Sequence, residues 1–214
     1  MTVSRVGVFG GSFDPIHFGH LLAADDVAEA LGLDRVLLVP AAVPPHKPMA
    51  DMAPAADRFA MVALAVAGHP RLAACDLELR RPGPSYTVDT LRALEGEGDL
   101  HLLMGSETFL DLLTWREPRE VARRARLVVV PRAGGAFDPD APAAQKVLAA
   151  LDLPAFAAPR DAGRGPVLVH ALSLPISASE LRRRCRSGRS LHFRLPAPVA
   201  AYIHEHGLYR RGDA

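Results

Sequence analysis

The chain has 214 residues, of which 49% are hydrophobic and 23% charged, and its formal net charge is +1. That length suits one domain with a sizeable core, and a charge so near zero offers no general attraction to nucleic acid or to a membrane surface. Cys75 and Cys185 are the two cysteines, in no metal-ligand spacing, and no apolar run approaches the ~20 residues that cross a bilayer; with no secretory leader, a soluble cytoplasmic protein is expected.

Val6 to His20 reads VGVFGGSFDPIHFGH. An apolar, β-branched start, a break at Gly10-Gly11 and an apolar and acidic run to Leu31 predict strand, turn and helix, the helix beginning near Ile16. Glycines let the main-chain N–H groups of Gly10, Gly11, Ser12 and Phe13 approach an anion closely, and the helix turns its positive end to the same place. His17 and His20, at i and i+3, leave on one face and can both donate to phosphate oxygens. A tight turn explains the glycines alone, and a capping or core histidine explains one imidazole alone. Together at this spacing they favour a polyphosphate. GxGxxG and the Lys-Ser/Thr end of a Walker A loop are both absent, which sets aside a hydride-transfer dinucleotide fold and a P-loop NTPase.

Arg35 to Pro40 is a short apolar run that predicts a buried strand parallel to the first. The next stretch, AAVPPHKPMADMAP, is too rich in proline for helix or central strand and carries His46 and Lys47. Pro54 can open a helix to about Gly68, with Phe59, Met61, Val62, Leu64 and Ala65 as its apolar face. Leu72 to Leu79 predicts a strand, RRPGP a turn, and SYTVDTLRALE a helix capped by Ser or Thr. Leu100 to Met104 is the next strand, ending at Gly105-Ser106. Helices at about Glu107 to Trp115 and Arg119 to Ala125 lead to a strand at Leu127 to Val130. From Pro131 to Pro166 the chain is loop-rich, with one helix at Ala143 to Leu151. Val167 to Leu172 predicts a last strand, PISASELRRRCRSG a Ser-capped helix, and PAPVAAYIHEHGLY an amphipathic helix stopped by Gly207.

Strands alternating with helices imply a single α/β domain over residues 1–214, helical over 173–214. The expected architecture is Rossmann-like and doubly wound, a mostly parallel sheet with helices on both faces and a ligand crevice at the carboxyl ends of the strands. The polar motifs fall at those ends: Gly10 to His20, His46-Lys47, Gly105 to Glu107, and Ser177 to Arg182 each follow a predicted strand.

GGSFDPIHFGH resembles the HxGH signature of the nucleotidyltransferase superfamily, in the form typical of nicotinate-nucleotide adenylyltransferases. ISASELR at Ile176 to Arg182 resembles the ISxTxxR segment of the same superfamily, with Ser179 at the threonine. There Ser177 and Ser179 offer hydroxyls and N–H groups at a helix start, and Arg182 can reach back to a phosphate. The resemblance implies adenylyl transfer from ATP to nicotinate mononucleotide, giving deamido-NAD and pyrophosphate, with His17, His20 and Arg182 catalytic. It implies an ATP site of Gly10, Gly11, Ser12, Phe13, His17, His20, Gly105, Glu107, Ile176, Ser177, Ser179 and Arg182. For the mononucleotide it implies Lys47 on the phosphate, Ser85, Tyr86 and Thr87 of SYTVDTL around the pyridine carboxylate, Trp115 stacked on the ring, and Arg132.

Mg²⁺ is expected to be held mainly by ATP phosphates and water, with no carboxylate and histidine cluster at metal-ligand spacing; Asp14 and Asp111 are candidate outer-shell groups, with helix capping the favoured role for Asp14. ATP and nicotinate mononucleotide are the expected partners, without nucleic acid or membrane, and with a homodimer left open. Three positions depart from the pattern: Glu107 stands where Asp meets the ribose, Arg116 where an aromatic is common, and Ala133 after Arg132 where Pro is usual. Taken singly, Lys47, Thr87 and Trp115 read as a solvated lysine, a helix cap and a core aromatic, and Arg183, Arg184, Arg186 and Arg189 as a solvated face. The alternatives are a sister adenylyltransferase for nicotinamide mononucleotide or phosphopantetheine, and a regulator that binds ATP without turnover.

Overall fold

The structure is a computed structural model that describes residues 3–45, 52–131, 137–161 and 163–210. Its strands are β1 (Arg5–Gly11), β2 (Arg35–Pro40), β3 (Leu72–Ala74), β4 (Asp99–Gly105), β5 (Arg126–Val130) and β6 (Val167–Leu168). They form one sheet in the order β3-β2-β1-β4-β5-β6, and every pairing is parallel. Both faces of the sheet are covered, which is why the strands read as continuous apolar runs. Val36, Leu38, Leu103 and Val128 face one core; Leu37, Val39, Leu102, Met104, Leu127 and Val129 face the other.

The first core is closed by α1 (Phe18–Leu31), α2 (Ala55–Val66), α8 (Ala178–Arg186) and α9 (Ala197–Glu205), through residues such as Val27, Met61, Leu181 and Ile203. The second lies under α4 (Thr87–Ala93), α5 (Ser106–Leu110), α6 (Pro118–Arg124) and α7 (Pro142–Ala150), through Leu91, Phe109, Val121 and Leu148. A short helix, α3 (Leu77–Arg80), follows β3. Among the described residues no helix is long and apolar enough to cross a membrane.

The register places the crevice. β1 pairs with β4 up to Val8↔Leu102, whereas Phe9, Gly10 and Gly11 pair on with β2 and Leu103, Met104 and Gly105 pair on with β5. The two central strands therefore part at their carboxyl ends, at the point where the strand order reverses, and an open α/β sheet presents its ligand crevice there.

Several elements differ from the expectation. β1 continues through Gly10-Gly11, where the Gly11 carbonyl accepts the Ala41 N–H at 2.8 Å. The chain bends over residues 12–15 instead, with Phe13 at φ +44 and a cis Asp14-Pro15 bond. α1 starts at Phe18 rather than Ile16, because His17 is still extended at φ −151. The expected strand Leu72 to Leu79 ends at Ala74: Cys75 makes the last bond to Leu38, and the Asp76 carbonyl then accepts Leu79 and Arg80 in a helical turn. The expected strand Val167 to Leu172 is also short, since the Leu172 N–H leaves the sheet for the Asp26 carboxylate of α1 at 2.5 Å. The helix expected from Glu107 to Trp115 is α5 followed by a 3₁₀ turn, Leu112–Thr114, in which the Thr114 hydroxyl caps the Asp111 carbonyl at 2.8 Å. α2 buries Arg58, Met61, Val62 and Val66, while Leu64 is exposed.

Candidate active site

The bend after β1 carries the two histidines. The His17 and His20 rings stack, with centroids 3.8 Å apart and planes at 25°. The main-chain N–H of His17 donates to His20 Nδ1 at 3.3 Å, a capping contact across the first turn of α1. A backbone N–H can only donate, so Nδ1 is the unprotonated nitrogen and the neutral ring carries its proton on Nε2. The edges of Phe9 and Phe13, with centroids 6.1 and 5.2 Å away, hold the His20 ring in place.

The glycines of the motif have separate reasons. At Gly19 a Cβ would stand 3.1 Å from Cε1 and Nδ1 of His17, so the ring occupies the space that a side chain would take. At Gly11 a Cβ would meet the Phe13 ring at 3.1 Å, whereas at Gly10 it would meet nothing within 4 Å. Gly10 thus faces open space at the parting of β1 and β4, and Gly11 is a packing glycine. The start of α1 is partly engaged already, since the Phe18 N–H donates to the Arg194 carbonyl at 3.1 Å.

The ISASELR segment lies against this bend. Ser177 caps α8, its hydroxyl accepting the Glu180 N–H at 3.2 Å, while Ser179 is exposed one residue into the helix. Ile176 packs on the first core, and its carbonyl lies 4.0 Å from the position of a Gly19 Cβ. Arg182 donates from Nη1 to the Asp14 carbonyl at 2.7 Å and lies 3.4 Å from the Asp14 carboxylate. His17, His20, Ile176 and Arg182 are therefore one cluster on the first-core side of the crevice.

Other expected residues surround the opposite wall. Gly105 ends β4, and a Cβ there would have only Thr108 and the Val130 carbonyl at 3.9–4.0 Å. Glu107 is exposed in the first turn of α5. Tyr86 and Trp115 both pack, half-buried, against the second core, and the Arg116 guanidinium lies 4.8 Å above the Tyr86 ring. Thr87 is the first residue of α4, but Tyr86 occupies the cap position. Ser85 is buried and tethers the loop after β2: its N–H donates to the Val43 carbonyl at 2.9 Å, and its hydroxyl accepts the Val43 N–H at 3.3 Å. His46, Lys47 and Arg132 lie outside the described residues.

Asp14 of the HxGH motif stands behind the site together with two residues that the sequence motifs do not single out, Arg58 and Tyr209. Asp14 is 2% exposed, and its Oδ1 accepts the Ala53 N–H at 3.1 Å and the Tyr209 hydroxyl at 2.6 Å. It serves as a structural hub, and the cap position of α1 is taken by His17. Burial, then the Asp14 charge, push the Tyr209 phenol far above its ordinary pKa, so it remains a donor. Arg58 is fully buried and donates to the carbonyls of Ala53 at 2.9 Å, Ser12 at 2.8 Å and Ala42 at 3.2 Å. Burial lowers its pKa, and the nearby Asp14 carboxylate pushes back. A charged residue in the apolar run of α2 was the one local signal for Arg58.

Among the described residues no group of three or more His, Cys, Asp or Glu side chains is placed to hold a metal ion. The donor set at the crevice consists of imidazole, guanidinium and N–H groups, which suits anions and gives a hard cation no cage of its own.

The cytidylyltransferase-like family model matches residues 8–184, from β1 into α8. A curated relative from Thermus thermophilus, named "Probable nicotinate-nucleotide adenylyltransferase", is 46% identical over 212 residues, covering 96% of this chain and all of the relative. One of the same name from Thermomicrobium roseum is 42% identical, covering 99% and 94%. Among solved structures, the Plasmodium falciparum nicotinic acid mononucleotide adenylyltransferase complexed with NaAD is similar with a TM-score of 0.70 at 17% identity, covering 96% of this chain and 97% of that one; this likeness is one of fold. With near-complete coverage at over 40% identity and the HxGH and ISASELR segments brought to one crevice, the chain belongs to the nicotinate-nucleotide adenylyltransferase family.

Proposed function

We propose that the chain transfers the adenylyl group of ATP to nicotinate mononucleotide, releasing pyrophosphate and forming deamido-NAD. The observation that carries this reading is the stacked His17–His20 pair at the parting of β1 and β4, with Arg182 tied to the same bend through Asp14. The names of the relatives supply the substrate pair.

The chemistry follows from the donors. A 5′-phosphate oxygen of the mononucleotide attacks the α-phosphorus in line, the new P–O bond forms, and the bond to the bridging oxygen of the β-phosphate breaks. Pyrophosphate leaves with that electron pair. The nucleophile is already an anion, so no side chain need be activated; repulsion and misalignment are the barrier. His20 donates from Nε2 to the α-phosphate as charge shifts there, and His17 braces the ring and joins the contact to phosphate. Arg182 and first-turn N–H groups of α8, which lack helical acceptors, take the leaving pyrophosphate. Gly10 and Gly105 leave room for the nucleotide between the parted strands, with Gly11, Ser12, Phe13, Ile176, Ser177 and Ser179 bordering it and Glu107 at the ribose. Tyr86, Thr87 and Trp115 form the pyridine wall, Lys47 and Arg132 complete the mononucleotide contacts, and Ser85 holds the wall in place. Mg²⁺ would be held mainly by the ATP phosphates and would supply neutralisation of their charge.

The deciding experiment is pyrophosphate release from ATP, with nicotinate mononucleotide, its amide and phosphopantetheine offered in parallel. Release with the first at least tenfold faster than with the others is expected, about 1.4 kcal/mol of discrimination. Equal or greater release with phosphopantetheine, or none with any acceptor, overturns the reading. Light scattering on the same sample reads whether the enzyme runs as a homodimer.

A further inference from the structure

The last helix ends in a reversal that returns the chain to the catalytic bend. Gly207 takes a left-handed φ of +61, the Leu208 N–H bonds back to the Ile203 carbonyl at 3.0 Å, and Tyr209 follows at φ +59. That is the pattern of a left-handed helix stop, and it delivers the Tyr209 hydroxyl to Asp14 Oδ1, 195 positions away in sequence. Leu208 and Tyr209 both pack against the first core, so the reversal is held on its apolar side as well.

The bonding around Asp14 divides its oxygens. Oδ1 takes both the Tyr209 hydroxyl at 2.6 Å and the Ala53 N–H at 3.1 Å. Oδ2 is buried without a hydrogen-bond partner among the described residues, and Arg182 Nη1 stands 3.4 Å from it. The same Nη1 spends its short bond, 2.7 Å, on the Asp14 main-chain carbonyl. Arg182 is thus attracted to Asp14 without being captured by its carboxylate, and its side chain keeps 22% of its surface exposed.

From this geometry we infer that Tyr209 is a positioning residue for Arg182: its hydroxyl pins the Asp14 carboxylate in the rotamer that leaves the guanidinium available to the phosphates of ATP. Without the hydroxyl, Oδ1 keeps only the Ala53 N–H among the described residues. The carboxylate can then turn toward Arg182 and form the two-pronged pair that guanidinium and carboxylate favour. Such a pair competes directly with the polyphosphate for the same charge. The inference rests on the proposed role of Arg182 in holding ATP phosphates, and it adds to that role a control element at the far end of the chain.

Tyr202 supplies a matched control, because its hydroxyl makes a similar bond to a carboxylate of α2, Asp57 Oδ1 at 2.8 Å, from within helix α9, just before the reversal that carries Tyr209. Tyr209→Phe, Tyr202→Phe, Arg182→Ala and the Tyr209→Phe/Arg182→Ala double variant are compared by calorimetric binding of ATP and by kcat and KM for both substrates. Thermal unfolding of each variant is recorded alongside, and binding is measured well below the midpoints.

Tyr209→Phe should weaken ATP binding about tenfold, the scale of a hydrogen bond to a charged group, and leave the KM for nicotinate mononucleotide within about twofold. In the Arg182→Ala background the same change should weaken ATP binding by less than about twofold, because the residue through which it acts is gone. Tyr202→Phe should lower the midpoint but leave ATP binding unchanged. Equal losses in both backgrounds, equal losses from the two tyrosines, or no loss from Tyr209→Phe would overturn the inference. Should the Phe variant not fold, Tyr209→Leu, which also lacks the hydroxyl and keeps an apolar side chain on the first core, is put through the same two-background comparison. Non-additive loss of ATP binding, with no turnover of nicotinate mononucleotide by the wild-type protein, would sustain this inference while removing the proposed acceptor.

Discussion

At the scale of single residues, the HxGH motif is a small mechanical assembly. His20 is oriented by a main-chain donor on Nδ1 and two aromatic edges, so its Nε2–H points where the fold dictates and not where a free rotamer would wander. His20→Ala should lower kcat about 10²-fold or more with little change in ATP affinity, as when one transition-state donor is lost; steady-state kinetics beside ATP titration on the folded variant decide it. Gly19 tests the other half of the pair. A Cβ at 3.1 Å from the His17 ring forces that ring to shift by a few tenths of an ångström. Gly19→Ala should therefore reduce kcat about tenfold, since small misplacements near the reacting centre are expensive. Its unfolding free energy should stay within about 1 kcal/mol of wild type, because alanine also favours the helix. Loss of stability with normal turnover would assign Gly19 to packing alone.

Among the elements, the loops at the carboxyl ends are tied to one another by side-chain hydrogen bonds. Arg58 reaches from α2 to the bend after β1 and to the loop after β2, and Ser85 fastens that second loop to the start of α4. Replacing Arg58 by Met removes the guanidinium bonds to the Ala53, Ser12 and Ala42 carbonyls and leaves Asp14 with one cation fewer. It should cost about 3–5 kcal/mol, the scale for breaking a buried charged contact by removing one partner, and denaturant titration gives the value. The sheet itself is legible in the sequence, because strands covered on both faces appear as unbroken apolar runs: Arg35–Pro40 is read to the residue. Strand ends are less legible. Leu77 to Arg80 alternates like a strand, yet the Glu78 side chain turns inward to accept the Thr90 hydroxyl at 2.5 Å, and that partner is invisible locally. The same limit hides Arg58 and Tyr209, whose bonds close over 46 and 195 positions. His17, His20, Ile176 and Arg182, far apart in sequence, lie together at one bend, while Ser85 ties the loop after β2 to the start of α4.

Across the whole molecule, the two ends of the sheet are built for opposite purposes. The carboxyl ends open onto the crevice; toward the amino ends the sheet closes over a buried imidazole. His101 on β4 is fully buried, paired in register with Gly7 on one side and Arg126 on the other. Its Nδ1 lies 3.0 Å from the Asp99 carbonyl and so carries the proton, while Nε2 is buried without a hydrogen-bond partner among the described residues. The Asp99 carboxylate is 4.0 Å from Nε2, too far to hold a second proton there, and the Arg5 and Arg126 guanidinium groups oppose any further positive charge. Burial is the main cause that holds the His101 pKa below its ordinary 6.5, with those two arginines adding to it. The folded protein therefore binds fewer protons than the unfolded chain in the window between the depressed value and about 6.5, where stability must rise with pH. Full stability from this group is present above about pH 6.5 and is lost as pH falls below it, with a slope of up to about 1.4 kcal/mol per pH unit. His101→Leu removes both the unsatisfied nitrogen and the titration. The difference in unfolding free energy between wild type and variant should thus be flat from pH 8 to about pH 7 and then move steadily in favour of the variant toward pH 5. Urea titrations at each pH give that difference directly, and a constant gap down to pH 5 would place the acid sensitivity of the fold in some other group.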